Sequence, residues 1–176
     1  RDRYRIIMNK NSKNKRESVS VFWDYENCPC PANNSFSRLI TKIKNKIDHY
    51  VGKKLNKQIQ LYAPMNRLHP KSREDANDCG VIMMDVASKR KQESVDKRII
   101  ADIGLFAADL ASSGDLGIIV LISGDSDFGY ILSRLRDRHY IKKIILFTQQ
   151  KTRDTLTCHA DHVDRMFYQI SDRQNP

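Results

Sequence analysis

No stretch of this 176-residue chain approaches the roughly 18 consecutive apolar residues that a membrane-spanning helix needs, which excludes a helical membrane protein. Cysteine is scarce. Cys28, Cys30, Cys79 and Cys158 are too few and too irregularly spaced to frame a disulfide scaffold in a chain of this size. Reduced thiols and an intracellular protein are therefore expected. The same cysteines with His159 and His162 do not read as a zinc site, because structural zinc ligands come in closely spaced pairs and here the sets lie far apart with one cysteine left over. The chain also lacks a Gly-x-x-x-x-Gly-Lys loop to cradle nucleotide phosphates and a Gly-x-Ser-x-Gly turn to present a nucleophilic serine. No internal repeat is present.

What is there is a composition of 40% hydrophobic and 30% charged residues, that of a soluble globular domain with a full core. The formal charge is +10, and residues 1–20, with seven Lys/Arg against two Asp/Glu, carry half of it. The remaining excess favours a polyanionic partner, since phosphate contacts by Lys and Arg drive nucleic-acid affinity. Residues 1–17 are expected to be a basic linker or extension and 18–172 the folded domain. The start at Arg1 without an apolar signal region suggests a piece of a longer parent chain whose other domains select the target.

Apolar β-branched runs alternate with helical periodicities, the pattern of βαβ units around a mainly parallel sheet. Strands are expected at 18–23, 58–62, 81–86, 117–122, 143–148 and 166–170. After the loop 27–34, Ser35 is placed to cap a helix with Phe36, Leu39, Ile40, Ile43 and Ile47 on one face. Further helices are expected at 72–78, at 94–112 with Ile99, Ile103, Ala107 and Leu110 inward, from Phe128 through Arg138, and at 152–160. Gly117–Ile122, the most apolar run, reads as a central strand buried on both faces.

Two of these strands end in acids. Asp24 follows the first, and Asp125, with Asp127 two positions on, follows the fourth. Sites in open parallel sheets form at the carboxyl ends of strands, and the first and fourth strands of such sheets are often neighbours. Asp96 opens the long helix as a third acid. Carboxylates gathered together repel unless a cation or a raised pKa compensates. Hard oxygen ligands without nearby histidine favour Mg2+ or Mn2+ over zinc. Each acid also has an ordinary structural reading. Asp24-Tyr25-Glu26-Asn27 suits a turn, Asp125 or Ser123 a helix N-cap, and Asp96 a helix start. It is their combination that points to phosphodiester chemistry. Lys89, Arg90 and Lys91 before the long helix, and Arg134, Arg136 and Arg138 after the fourth strand, are candidate phosphate contacts. Trp23 and Tyr25 are candidate stacking residues, with Trp23 better suited to the core.

At this point the motif Phe22-Trp23-Asp24-Tyr25-Glu26-Asn27 resembles the opening motif of the NYN branch of the PIN-like nucleases. Val95-Asp96-Lys97-Arg98 is similar to that family's second motif and Ile122-Ser123-Gly124-Asp125-Ser126-Asp127-Phe128 to its third. The likeness runs through Leu135-Arg136-Asp137-Arg138-His139 to His159-Ala160, over about residues 18–171, and is closest to limkain-type proteins that control messenger RNA. The resemblance implies a three-layer α/β/α fold and a Mg2+- or Mn2+-dependent ribonuclease cutting single-stranded RNA. It assigns the metal and the chemistry to Asp24, Asp96, Asp125 and Asp127, supported by Asn27 and Ser123, with Lys89, Lys91, Arg134 and Arg138 on the substrate. Limkain-type relatives often carry a further acid where this chain has Val95, which leaves the fourth carboxylate to Asp127. Self-association into a homodimer is left open by the sequence.

Overall fold

The structure, a computed structural model, describes residues 15–31, 35–54, 56–86 and 94–167. Most of the expected N-terminal linker, and the C-terminal end of the expected domain, lie outside them. Six parallel strands form one sheet in the order β3-β2-β1-β4-β5-β6: β1 (Glu17–Asp24), β2 (Lys57–Ala63), β3 (Ile82–Asp85), β4 (Leu116–Ile122), β5 (Ile141–Gln149) and β6 (His162–Phe167). Neighbouring β1 and β4 are in the middle, as two strands buried on both faces should be.

Alternation along each strand sorts side chains into two apolar layers. Val19, Val21 and Trp23 of β1 and Ile118, Val120 and Ile122 of β4 meet α1 (Phe36–Val51), whose buried stripe is Phe36, Leu39, Ile40, Ile43 and Ile47, and α2 (Pro70–Asp78). Phe22, Ile119 and Leu121 point the other way. They pack on Val95, Ile99, Ile103, Ala107 and Leu110 of α3 (Ser94–Ser113), on Leu132 and Leu135 of α4 (Gly129–Arg136), and on Leu156 of the short α5 (Asp154–Thr157). The result is the expected three-layer α/β/α fold. Full burial of each Ile, Leu or Val contributes about 1.5–3 kcal/mol of transfer free energy, and this layering secures the sheet from both sides.

Gly117 shows how tightly α3 lies on β4. A Cβ there would fall 2.1 Å from Leu110 Cδ1, so the leucine in the last turn of α3 would have to swing away to admit any side chain. Gly114, at φ 75°, ends that helix and donates its N–H to Leu110 O at 3.0 Å.

Three expectations need correction. The last strand starts at His162, not Met166. Its polar opening concealed it, because those residues are satisfied by partners distant in sequence: Asp164 binds Lys46 and accepts from Tyr50 Oη at 2.8 Å, and His162 stacks on Tyr50. The helix expected over 152–160 shrinks to Asp154–Thr157. The helix expected through Arg138 begins as a 3-10 turn (Ser126–Phe128) and ends at Arg136. Pro70 occupies the first turn of α2, where its missing N–H costs nothing.

Candidate functional site

β1 leads through α1 to β2 on one side of the sheet, while β4 leads through α4 to β5 on the other. The chain diverges at this pair, and the carboxyl edge beside such a divergence is the place where parallel α/β sheets take ligands. Asp24 ends β1 at this edge and is only 1% exposed. It lies on the α3 side of the sheet, alternating with Trp23.

The buried carboxylate is held by two residues. Asn27 donates its side-chain amide to Oδ2 at 2.6 Å and its backbone N–H to Oδ1 at 3.3 Å. Ser123 Oγ donates to Oδ2 at 2.8 Å and in turn accepts the N–H of Asp125 at 3.1 Å. Ser123 thus ties the end of β1 to the loop leaving β4. Burial pushes the Asp24 carboxyl up, opposed by the hydrogen bonds from Asn27 and Ser123, and the nearby Asp125 adds a further upward push. The loop is also closed from below: Cys28 N–H donates to Asp24 O at 3.0 Å, Trp23 Nε1–H donates to Cys28 O at 2.8 Å, and the Gln149 amide donates to Asn27 O.

Asp125 Oδ1 accepts the N–H of Asp127 at 2.9 Å and so caps the 3-10 turn that follows β4. The capping and the site readings of this residue therefore coexist, since one carboxylate oxygen suffices for the cap. Asp96 stands in the first turn of α3. Its pKa is pushed up to about 6, first by burial and then by the negative charges of Asp24, Asp125, Asp127 and Glu26. Acids drawn from β1, α3 and the β4 loop therefore share one electrostatic neighbourhood.

Among the described residues, no three His, Cys, Asp or Glu side chains converge into a ready-made metal cage. The donor chemistry nevertheless fits a hard divalent ion. The acids are all carboxylates, and Mg2+ typically keeps several waters while using one or two carboxylates and substrate phosphates. Such an ion needs an open, strongly negative crevice more than a closed cage. Val95 does not contribute to it. At 2% exposed, it faces the apolar layer beneath α3.

Of the other expected site residues, Asn27 and Ser123 both contact Asp24. Lys89 and Lys91, with Arg90, lie outside the described residues. Arg134 is exposed on α4. Arg136 donates to Cys158 O at 2.7 Å. Arg138 lies past the end of α4, where Ile141 N–H donates to its carbonyl at 2.9 Å as β5 begins. This is the opposite edge of the sheet, so the structure does not bring Arg138 to the acids. Trp23 is fully buried and unavailable for stacking. Asp102 is taken up by Tyr62 Oη at 2.9 Å and Arg98 Nε at 3.0 Å. Sequence reasoning missed Tyr130, which is 75% exposed at the start of α4, three residues after Asp127. The available signal was an aromatic residue just beyond the acidic motif with Arg134 one helical turn further on.

A three-layer α/β/α sheet with acids clustered at the β1/β4 divergence defines a PIN-like fold. The NYN domain family model matches residues 18–165, and the chain belongs to that family. Among curated proteins it is similar to meiosis regulator and mRNA stability factor 1. Identity is 27% over 154 residues for the Bos taurus and Mus musculus proteins, and 26% over 142 residues for that of Gallus gallus. These matches cover 88%, 88% and 81% of this chain but only 8% of each relative. Among solved structures, a protein of unknown function from Vibrio parahaemolyticus shares the fold. Its TM-score is 0.61 at 18% identity, covering 88% of this chain and 94% of that one.

Proposed function

We propose that this chain is a divalent-metal-dependent ribonuclease domain that hydrolyses phosphodiester bonds within single-stranded RNA. The observation that carries the reading is the gathering of Asp24, Asp96, Asp125 and Asp127 at the β1/β4 divergence, where burial first and then the charges of the other acids push the Asp96 pKa up to about 6. Uncompensated, that repulsion opposes folding, and a divalent ion is the compensation that suits carboxylate oxygens. The family supports nuclease chemistry. The curated relatives are named as an mRNA stability factor, which supports RNA as the substrate.

Asp24, Asp96, Asp125 and Asp127 would hold Mg2+ or Mn2+. When bound, the ion supplies charge stabilisation at a phosphoryl oxygen and lowers the pKa of a water for in-line attack. Asn27 and Ser123 fix the orientation of Asp24, so the first carboxylate is preorganised. Tyr130 offers an exposed face for an unpaired base, and Arg134 offers a cation to the neighbouring phosphate. The rival reading, an RNA-binding domain without catalysis, draws on Val95, which places an apolar residue where related chains often have another acid.

The deciding experiment incubates the protein with single-stranded RNA or DNA in Mn2+, Mg2+ or EDTA, beside Asp125→Asn. Wild type is expected to cut RNA internally only with metal, and the variant to bind RNA without cutting. If both proteins bind RNA and leave it intact in every condition, the ribonuclease reading fails and the binding reading stands.

A further inference from the structure

A half-open cavity of about 310 Å³ lies at the same edge of the sheet, on the side opposite the acids, and no step above uses it. Its walls come from the loop after β1 (Tyr25), the start of α1 (Ser35, Phe36) and the start of α2 (His69, Lys71, Asp75). Its position follows from strand alternation. Asp24 faces α3, so the next residue, Tyr25, faces α1, where its ring lies 5.7 Å from that of Trp23 and 6.0 Å from that of Phe36. Acids and cavity therefore share one strand end, and an RNA strand crossing the edge from one side meets the other.

The lining is selective in its chemistry. Half-buried Tyr25 gives the accessible face of an aromatic wall suited to a flat ring, backed by the buried Phe36. Lys71 gives a cation. His69 Nδ1 accepts the Lys71 N–H at 3.2 Å, which leaves Nε2 to carry the ring's donor. Asp75 is acceptor-only, and its charge reaches across the cavity wall to raise the Cys30 thiol after burial has done so. A simple anion would be repelled by Asp75, and an apolar ligand would make no use of the Lys71 cation, the His69 donor or the Asp75 acceptor. A nucleotide whose base carries an exocyclic amino group satisfies all of them, and the cavity lies at the lower end of the size range of small-molecule sites.

We propose that this cavity is a base-recognition pocket for the nucleotide next to the bond presented to the acids. It selects adenine, cytosine or guanine over uracil. Asp75 accepts from the exocyclic amine, Tyr25 stacks on the ring and Lys71 meets the phosphate. Its place beside a scissile bond rests on the ribonuclease reading, whereas base discrimination by the pocket does not.

The test uses the Asp125→Asn protein in EDTA, so that no cleavage intervenes, and titrates AMP, CMP, GMP and UMP. Trp23 is the chain's single tryptophan and packs on both aromatic walls, so its emission reports occupancy. At least one of the three amino-bearing nucleotides is expected to bind about tenfold tighter than UMP. Adding Asp75→Ala should erase that difference, and adding Lys71→Ala should weaken all four about tenfold, with melting temperatures unchanged. Equal affinity for all four, no binding at millimolar concentration, or discrimination that survives Asp75→Ala would each overturn the proposal. Assaying wild type on RNA in parallel separates the two readings. RNA cut without nucleotide discrimination sinks the pocket alone. Discrimination lost on Asp75→Ala, with RNA left intact by wild type, sinks the ribonuclease and leaves the pocket.

Discussion

Replacing Asp96 by Asn should stabilise the metal-free protein while removing its response to metal. The Asp96 pKa rises from 3.8 to about 6 on folding, a stake of about 3 kcal/mol at 1.36 kcal/mol per unit if the site were dry. Asp96 is only half-buried, so solvent screening reduces this to about 1 kcal/mol. Because the folded pKa lies above the unfolded one, the folded state binds the proton more tightly. The associated stability is complete below pH 3.8 and is lost as pH rises through about 6. Asn mimics the protonated form at every pH. The helix start opposes part of the gain, since it favours a carboxylate by about 0.3–1 kcal/mol. In EDTA at pH 7.5 the variant should therefore be more stable by about 0.5 kcal/mol, or about 1–2 °C in melting temperature. That gap should close towards pH 4. Added Mn2+ should reverse the order, because binding to the folded state stabilises wild type more. Thermal unfolding across pH, with and without Mn2+, reads all three effects. A variant that is less stable by the same amount at every pH, or that gains as much from Mn2+ as wild type, would refute a shared acidic site.

Two further outcomes follow from other parts of the molecule. Gly117→Val should destabilise by about 1–3 kcal/mol in urea unfolding, because its Cβ meets Leu110 Cδ1 at 2.1 Å. Adding Leu110→Ala should recover part of that loss, and a purely additive double mutant would show that the packing is not the cause. Tyr130→Ala should weaken single-stranded RNA binding by about 1–3 kcal/mol while Tyr130→Phe stays near wild type. Equal losses in the two would implicate the hydroxyl rather than the ring.

The layers of the fold were legible because the sheet and helices obey simple periods. The stripe of Phe36, Leu39, Ile40, Ile43 and Ile47 and the doubly buried Gly117–Ile122 run announce which faces meet. β6 was misplaced because His162 and Asp164 are made acceptable by Tyr50 and Lys46, more than a hundred residues away, and no local window contains them. The candidate acids were legible as strand ends. The neighbourhood they share appears only once β1 and β4 pair and α3 starts beside them. The support of Asp24 by Asn27 and Ser123 follows the motif spacing, whereas Arg138 was misjudged because a short helix carried it to the opposite edge. Tyr130 went unnoticed because exposure is invisible to periodicity.

The bonds around Asp24 bear on how chains of this family should be compared. Its carboxylate is bound by Asn27 and Ser123 and ties the turn after β1 to the end of β4, so removing it would disturb the scaffold whether or not the protein cuts anything. Among the described residues neither Asp96 nor Asp127 has such side-chain bonds, Asp96 answering only the weak preference of a helix start for a carboxylate, and Asp96 is under electrostatic pressure to be lost. In a lineage that abandons catalysis, drift should erase these two first and Asp24 last. Retention of the first acid is therefore weak evidence of activity, and the state of Asp96 and Asp127 is the informative mark.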